Sequence, residues 1–148
     1  MLDNWLRDHA RRGEAGGAAR IYVVDDGRRV VACYSLVTGT IALASTRGGR
    51  RDLPDPILVM VLDRLAVDHR VQGLGVGRAL LRDAVARTLN AAEVAPIRAL
   101  LVHALDERVA GFYRAHGFRE SPSGPLLLML PLDGVRRSQG GPDRGRER

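Results

Sequence analysis

The sequence predicts a single α/β (α+β) domain, and three observations carry that reading. A hairpin of two β-rich runs lies between Ile21 and Val37. A strand, a glycine-rich turn, an amphipathic helix and a second strand follow one another from Ile57 to His103. The 148 residues are 45% apolar and 27% charged, the balance of a soluble globular domain large enough to bury a core.

Each element has its own signal. Leu2, Trp5, Leu6 and His9 share a helical face, so residues 2–12 read as a helix that glycines at 13, 16 and 17 break. Asp25-Asp26-Gly27 is turn chemistry between the runs Ile21–Val24 and Val30–Val37. Cys33, inside the second run, reads as a small buried apolar residue. Residues 43–56 form a long loop carrying Arg47, Arg50 and Arg51. Ile57–Val67 is the longest apolar run, and its β-branched content favours a central strand. Asp63 and Arg64 interrupt it, so that end of the strand is expected to meet a cleft, because an unpaired buried charge is costly. Apolar residues at 80, 81, 84, 85 and 89 mark the following helix. Ile97–His103 reads as another strand. Asp106 is the N-cap of a helix that runs to about His116, with Gly117 as its C-cap glycine. A last strand covers Leu126–Leu130. Residues 133–148 hold five arginines, three acids and little apolar content, and are expected to be a disordered tail after a domain of residues 1–132.

Composition excludes several function classes. No apolar run reaches the roughly 18–20 residues of a membrane span. The N-terminus has no apolar leader, so a cytoplasmic location is expected. A single cysteine rules out an internal disulfide and a cysteine-rich zinc site. His69, His103 and His116 have no metal-ligand spacing, so no metal is expected. His103, at a strand end, reads as a satisfied core histidine, with cleft lining as the alternative. The net charge is +6, and all 23 basic residues other than histidine are arginine. A GC-rich genome accounts for most of that bias, but the guanidinium fork also suits phosphate, and the basicity points to nucleic acid.

The turn Gln72-Gly73-Leu74-Gly75-Val76-Gly77-Arg78 stands between a strand and a helix, where backbone amides and the helix dipole can hold a phosphate. It is not a P-loop, since no Gly-Lys-Ser/Thr follows, and it fits a dinucleotide fingerprint poorly. With Phe112-Tyr113-x-x-x-Gly117-Phe118 further on, residues 18–131 resemble the GNAT acyltransferase family. The resemblance implies the GNAT fold: a central mixed, mostly antiparallel sheet flanked by helices, here with the N-terminal strand missing. It implies acetyl-CoA as cofactor, with the amides of residues 72–78 on its pyrophosphate and Arg78 near a CoA phosphate. Leu65-Ala66-Val67 would follow the pantetheine arm through backbone groups of Leu65 and Val67. Tyr113 would be the acid that serves the departing thiolate; a thiol has a pKa of about 8.5 and a phenol about 10.

Ala19–Val24, Tyr34-Ser35-Leu36-x-x-Gly39, Pro54–Ile57, Arg64–Asp68 and Val102–Leu105 resemble one branch of that family, the GNAT toxins of type II toxin–antitoxin modules. This resemblance implies acetylation of the α-amino group of aminoacyl-tRNA and a ribbon-helix-helix antitoxin as partner; a homodimer is expected because an exposed sheet edge is liable to pair with another chain. An α-amine titrates near about 7.7–8.0 and needs less help from a base than a lysine near about 10.4. Asp63 could act as a base through water, though an ion pair is the simpler role. Arg20, Arg47, Arg50, Arg51 and Arg64 are the candidate tRNA contacts. A GNAT enzyme acting on a small amine or a protein N-terminus is the alternative. A non-catalytic RNA-binding module is a third reading, disfavoured by the few aromatic residues.

Overall fold

The computed structural model describes residues 19–41, 56–122 and 124–140. The helix read over 2–12, nearly all of the arginine-rich loop with Arg47, Arg50 and Arg51, and residues 141–148 lie outside the described residues.

Six strands form one sheet: β1 (Ala19–Asp25), β2 (Val30–Ile41), β3 (Ile57–Val67), β4 (Ala99–His103), β5 (Arg119–Ser121) and β6 (Gly124–Pro131). Their order is β1-β2-β3-β4-β6-β5. Every pairing is antiparallel except β3 with β4, so the sheet is mixed and mostly antiparallel. Among the described residues three α-helices accompany it: α1 (Val76–Ala91), α2 (Glu107–Ala115) and α3 (Leu132–Gly140). The parallel pair needs a crossover, and α1 supplies it.

Local chemistry sets the turns and helix ends. At the hairpin, Asp25 accepts from the Gly27 amide, and Asp26 accepts from those of Arg28 and Arg29. Gly75 caps α1 at φ 81°, a left-handed conformation that favours glycine. Asp106 caps α2 by accepting from the Val109 amide at 2.9 Å. Glu107 in the first turn and Arg114 in the last complement the dipole of α2.

The core is built on two faces of the sheet. On one face, Ala32, Tyr34, Leu36, Met60 and Leu62 pack against Leu80, Leu81 and Ala84 of α1 and Ala110 and Tyr113 of α2. On the other, Ile57, Val59, Ala99, Leu101 and Met129 form a second cluster. β2 is buried on both faces from Val31 to Leu36, which explains its apolar run, interrupted only by Ser35.

Two expectations change, and one strand was not foreseen. β4 starts at Ala99, not Ile97; Ile97 is buried just before it and follows Pro96, which lacks an amide donor. β5 is a three-residue edge strand, Arg-Glu-Ser, too short and too polar for a periodic signal. Residues 133–140, read as part of a disordered tail, belong to α3. Leu132 is 1% exposed and Val135 packs against the main core, so two anchors outweigh a polar composition.

Candidate active site

The site begins with one extra residue in β3. The β2–β3 register shifts between Ser35 and Leu36: Ser35 faces Arg64 and Leu36 faces Leu62, which leaves Asp63 as a bulge. Before it, Leu58, Met60 and Leu62 face the helices; after it, Leu65 and Val67 do. A bulge bends the strand and interrupts its pairing. The parallel ladder with β4 covers only Met60–Leu62 against Leu100–Val102, so β3 parts from β4 where the bulge lies.

A cleft of about 550 Å³ opens there. Leu65 and Val67 line it from β3, Val71, Gln72, Gly73 and Gly75 from the turn, and Val76, Gly77 and Arg78 from α1. Arg108, Val109, Phe112, Tyr113 and His116 line it from α2. The lining holds two guanidiniums and no carboxylate, which suits an anionic ligand.

The turn is tied down from both sides. Asp68 accepts from the Arg70 amide at 2.9 Å and grips the Arg70 guanidinium through both oxygens, at 3.0 and 2.9 Å. Gln72 donates through Nε2 to the Val67 carbonyl at 3.1 Å. Gly73 and Gly75 have φ of 83° and 81°, so side chains there would be strained. The first intrahelical bond of α1 runs from the Ala79 amide to the Gly75 carbonyl. The amides of Val76, Gly77 and Arg78 precede it and have no intrahelical acceptor.

Tyr113 is 5% exposed, and burial pushes its phenol up to about 12. Phe112 and Phe118 meet its ring edge-on, with centroids 5.1 and 5.3 Å away. One turn on, His116 packs against Phe112, its Nδ1 lies 2.8 Å from the Phe112 carbonyl oxygen, and its Nε2 is buried without a partner.

The structure thus brings Leu65, Val67, Gln72, Gly73, Gly75, Val76, Gly77, Arg78 and Tyr113 together around one cleft. It leaves two expected residues outside the lining. Ala66 pairs with Cys33 on the opposite face, and Leu74 points into solvent at the tip of the turn, 74% exposed. Arg64 and Arg20 are exposed but lie on different faces: Arg64 pairs with Ser35, away from the helices, and Arg20 with Leu36 on the helix side. Asp63 is exposed at the bulge. His103 is exposed at the end of β4, which corrects its reading as a core histidine; the β-strand phase turns it to the face away from α1 and α2. Cys33 is fully buried, and burial pushes its thiol up to about 11, so it is a structural residue. Sequence reasoning missed Arg108, Val109 and His116 as lining residues. Their spacing with Phe112 and Tyr113 traces one helical stripe, the signal that could have found them.

Comparison with known proteins places this geometry. Residues 17–120 match the acetyltransferase (GNAT) domain family. A tRNA-acetylating toxin of Mycobacterium tuberculosis is 43% identical over 136 residues, covering 91% of this chain and 82% of that protein. Among solved structures, AtaT complexed with acetyl-methionyl-tRNAfMet superposes with a TM-score of 0.85 at 24% identity, over 93% of this chain and 85% of that one, a likeness of fold. AtaTR bound with AcCoA gives 0.76 at 26% identity, over 93% and 84%.

Proposed function

This chain belongs to the GNAT acetyltransferase family, and from that premise we propose that its acceptor is the α-amino group of aminoacyl-tRNA. It is an acetyl-CoA-dependent N-acetyltransferase, and acetylation of charged tRNA would block translation. The observation that carries the site is the cleft at the Asp63 bulge, with an amide-rich turn at one wall and Tyr113 in the other.

The fit to the donor is chemical. The amides of Val76, Gly77 and Arg78 would hold the pyrophosphate, aided by the dipole of α1 and the Arg78 guanidinium. Past the bulge, the backbone of Leu65–Val67 pairs with β2 but has no β4 partner, so its β4-facing groups, apart from the Val67 carbonyl that Gln72 already meets, would serve the pantetheine amides. Acetyl-CoA supplies a thioester carbonyl. The acceptor nitrogen forms the N–C bond, the C–S bond breaks, and negative charge grows on sulfur. Tyr113 keeps its proton at every working pH and donates a hydrogen bond to that sulfur, as a charge-assisted donor rather than a full proton source.

Arg64, exposed beside the bulge on the face away from α1 and α2, would meet the acceptor end of tRNA. The basic chain supplies the longer-range attraction. We assign a ribbon-helix-helix antitoxin as partner on the toxin resemblance, and a homodimer through an edge strand or helix; among the described strands β1 and β5 are the sheet edges. The site of action is the cytoplasm, where charged tRNA is found; among the described residues no helix is long and apolar enough to cross a membrane.

Labelled acetyl-CoA tests the acceptor. Label should enter aminoacyl-tRNA and not free amino acids, and induction of the protein alone should arrest growth. Preferential transfer to free amino acids or to a protein N-terminus would sink the tRNA reading.

A further inference from the structure

We infer that His103 is a catalytic residue on the acceptor side, the base that takes the proton the amine must lose. The argument starts from the phase of the sheet. Leu101 and Ala99 of β4 belong to the cluster on the face away from α1 and α2, and His103 continues that alternation. Arg64 and Ala66 of β3 share that face, because their β2 partners Ser35 and Cys33 do. The last level shared by β3 and β4 is Leu62 with Val102. His103 is the next residue of β4, so it stands on one lip of the gap, with Asp63 and Arg64 on the other.

The helix side of that gap is filled by α1, α2 and the cleft for the donor. With the donor held on the side of α1 and α2, the acceptor amine would approach from the other lip of the gap, where His103 stands. His103 sits on that side and is exposed, whereas Leu127, its neighbour on β6, is apolar. Among the described residues, the charged residues on the opposite lip are Asp63 and Arg64. Imidazole is the side chain whose proton affinity lies closest to neutrality, which matches it to an α-amine that is partly protonated at pH 7.

The step balances. The amine nitrogen bonds to the thioester carbon, and the C–S bond breaks with its electron pair going to sulfur. The nitrogen proton passes to a ring nitrogen of His103 and from there to solvent. Tyr113 stabilises the sulfur and neither gives nor receives this proton.

The inference rests on the family reaction but not on the identity of the amine. The test uses the full chain and whichever amine it acetylates, with single-turnover rates across pH 6–9 for the parent, H103Q and H103A. We expect both variants to keep the parent KM for acetyl-CoA and to transfer about a hundredfold more slowly at pH 7. The deficit should shrink as pH rises, since the amine then deprotonates unaided, and added imidazole should restore part of the H103A rate. Rates within threefold of the parent with an unchanged pH profile would overturn the assignment. So would loss of the cooperative unfolding transition in both variants, which would make His103 structural. A parent that prefers a small amine would overturn the tRNA reading alone, leaving His103 to be judged by the same profiles.

Discussion

Tyr113 is gripped by two edge-on aromatic rings and almost sealed from water. Replacing it with Phe keeps the packing and removes only the hydroxyl. Tyr113→Phe should therefore lower kcat about a hundredfold or more with little change in acetyl-CoA affinity, read from steady-state kinetics beside a binding titration. Burial also fixes a sign for alkaline stability. The Cys33 thiol is pushed from 9.0 to about 11 and the Tyr113 phenol from 10.0 to about 12. Tyr34 is pushed up as well, first by burial and then by its hydrogen bond to Asp83. In each case the folded state prefers the neutral group. The stabilisation is present below pH 9, fades as the unfolded chain ionises first, and is lost through pH 11–12. Thermal unfolding should show Tm falling from about pH 9 upward, and Cys33→Ala should remove the earliest part of that fall. The sequence pointed to Tyr113 through its motif. It misjudged His103, because an apolar run looks alike whether its last residue is covered or bare.

At the scale of elements, the turn and the helix after it were legible because glycine leaves a signature that other residues cannot imitate. Gly73 and Gly75 occupy left-handed conformations, and a side chain there costs about 1–2 kcal/mol of backbone strain. Gly75→Ala should weaken acetyl-CoA binding about tenfold or more while the fold survives, which calorimetric titration would show. Gly77 differs: an added Cβ would find ordinary contacts with Val67 and Phe112 at 3.8 and 3.9 Å, so Gly77→Ala should be milder. The clamp of α1 on the hairpin was invisible in the sequence, since its members are 49 positions apart. The Tyr34 hydroxyl donates to Asp83, Asp83 pairs with Arg87 at 3.0 Å, and Arg87 lies 4.0 Å over the Tyr22 ring. Asp83→Ala leaves a buried hydroxyl without its acceptor. It should cost about 1–3 kcal/mol, a drop in Tm of several degrees. The surface pair of Asp83 with Arg87 accounts for little of that cost.

For the whole molecule, a net charge of +6 on 148 residues should make association with tRNA strongly salt-dependent. If about five phosphates are contacted, the Kd for charged tRNA should rise about a hundredfold or more between roughly 50 and 200 mM salt. The KM for acetyl-CoA, set by contacts inside one cleft, should change far less. Filter binding and steady-state kinetics over the same salt series would separate the two. The sheet itself was largely readable, because Ile57–Val67 and the β2 run announce buried strands by their predominantly apolar content. What no periodicity could locate was the place where β3 and β4 part. That depends on a residue without a partner, and Asp63 in the sequence is only a charge in an apolar run.

This dependence makes the donor site sensitive to chain length more than to chemistry. Leu62 pairs with Leu36, and Arg64 with Ser35. Excising Asp63 would therefore join two stretches already in step, leaving every other side chain on its present face. The shortened strand would run straight beside β4 and draw the gap shut. An in-frame loss of that single codon should yield a folded, thermally robust protein that no longer takes up acetyl-CoA, whereas Asp63→Ala, which keeps the codon, should still bind it.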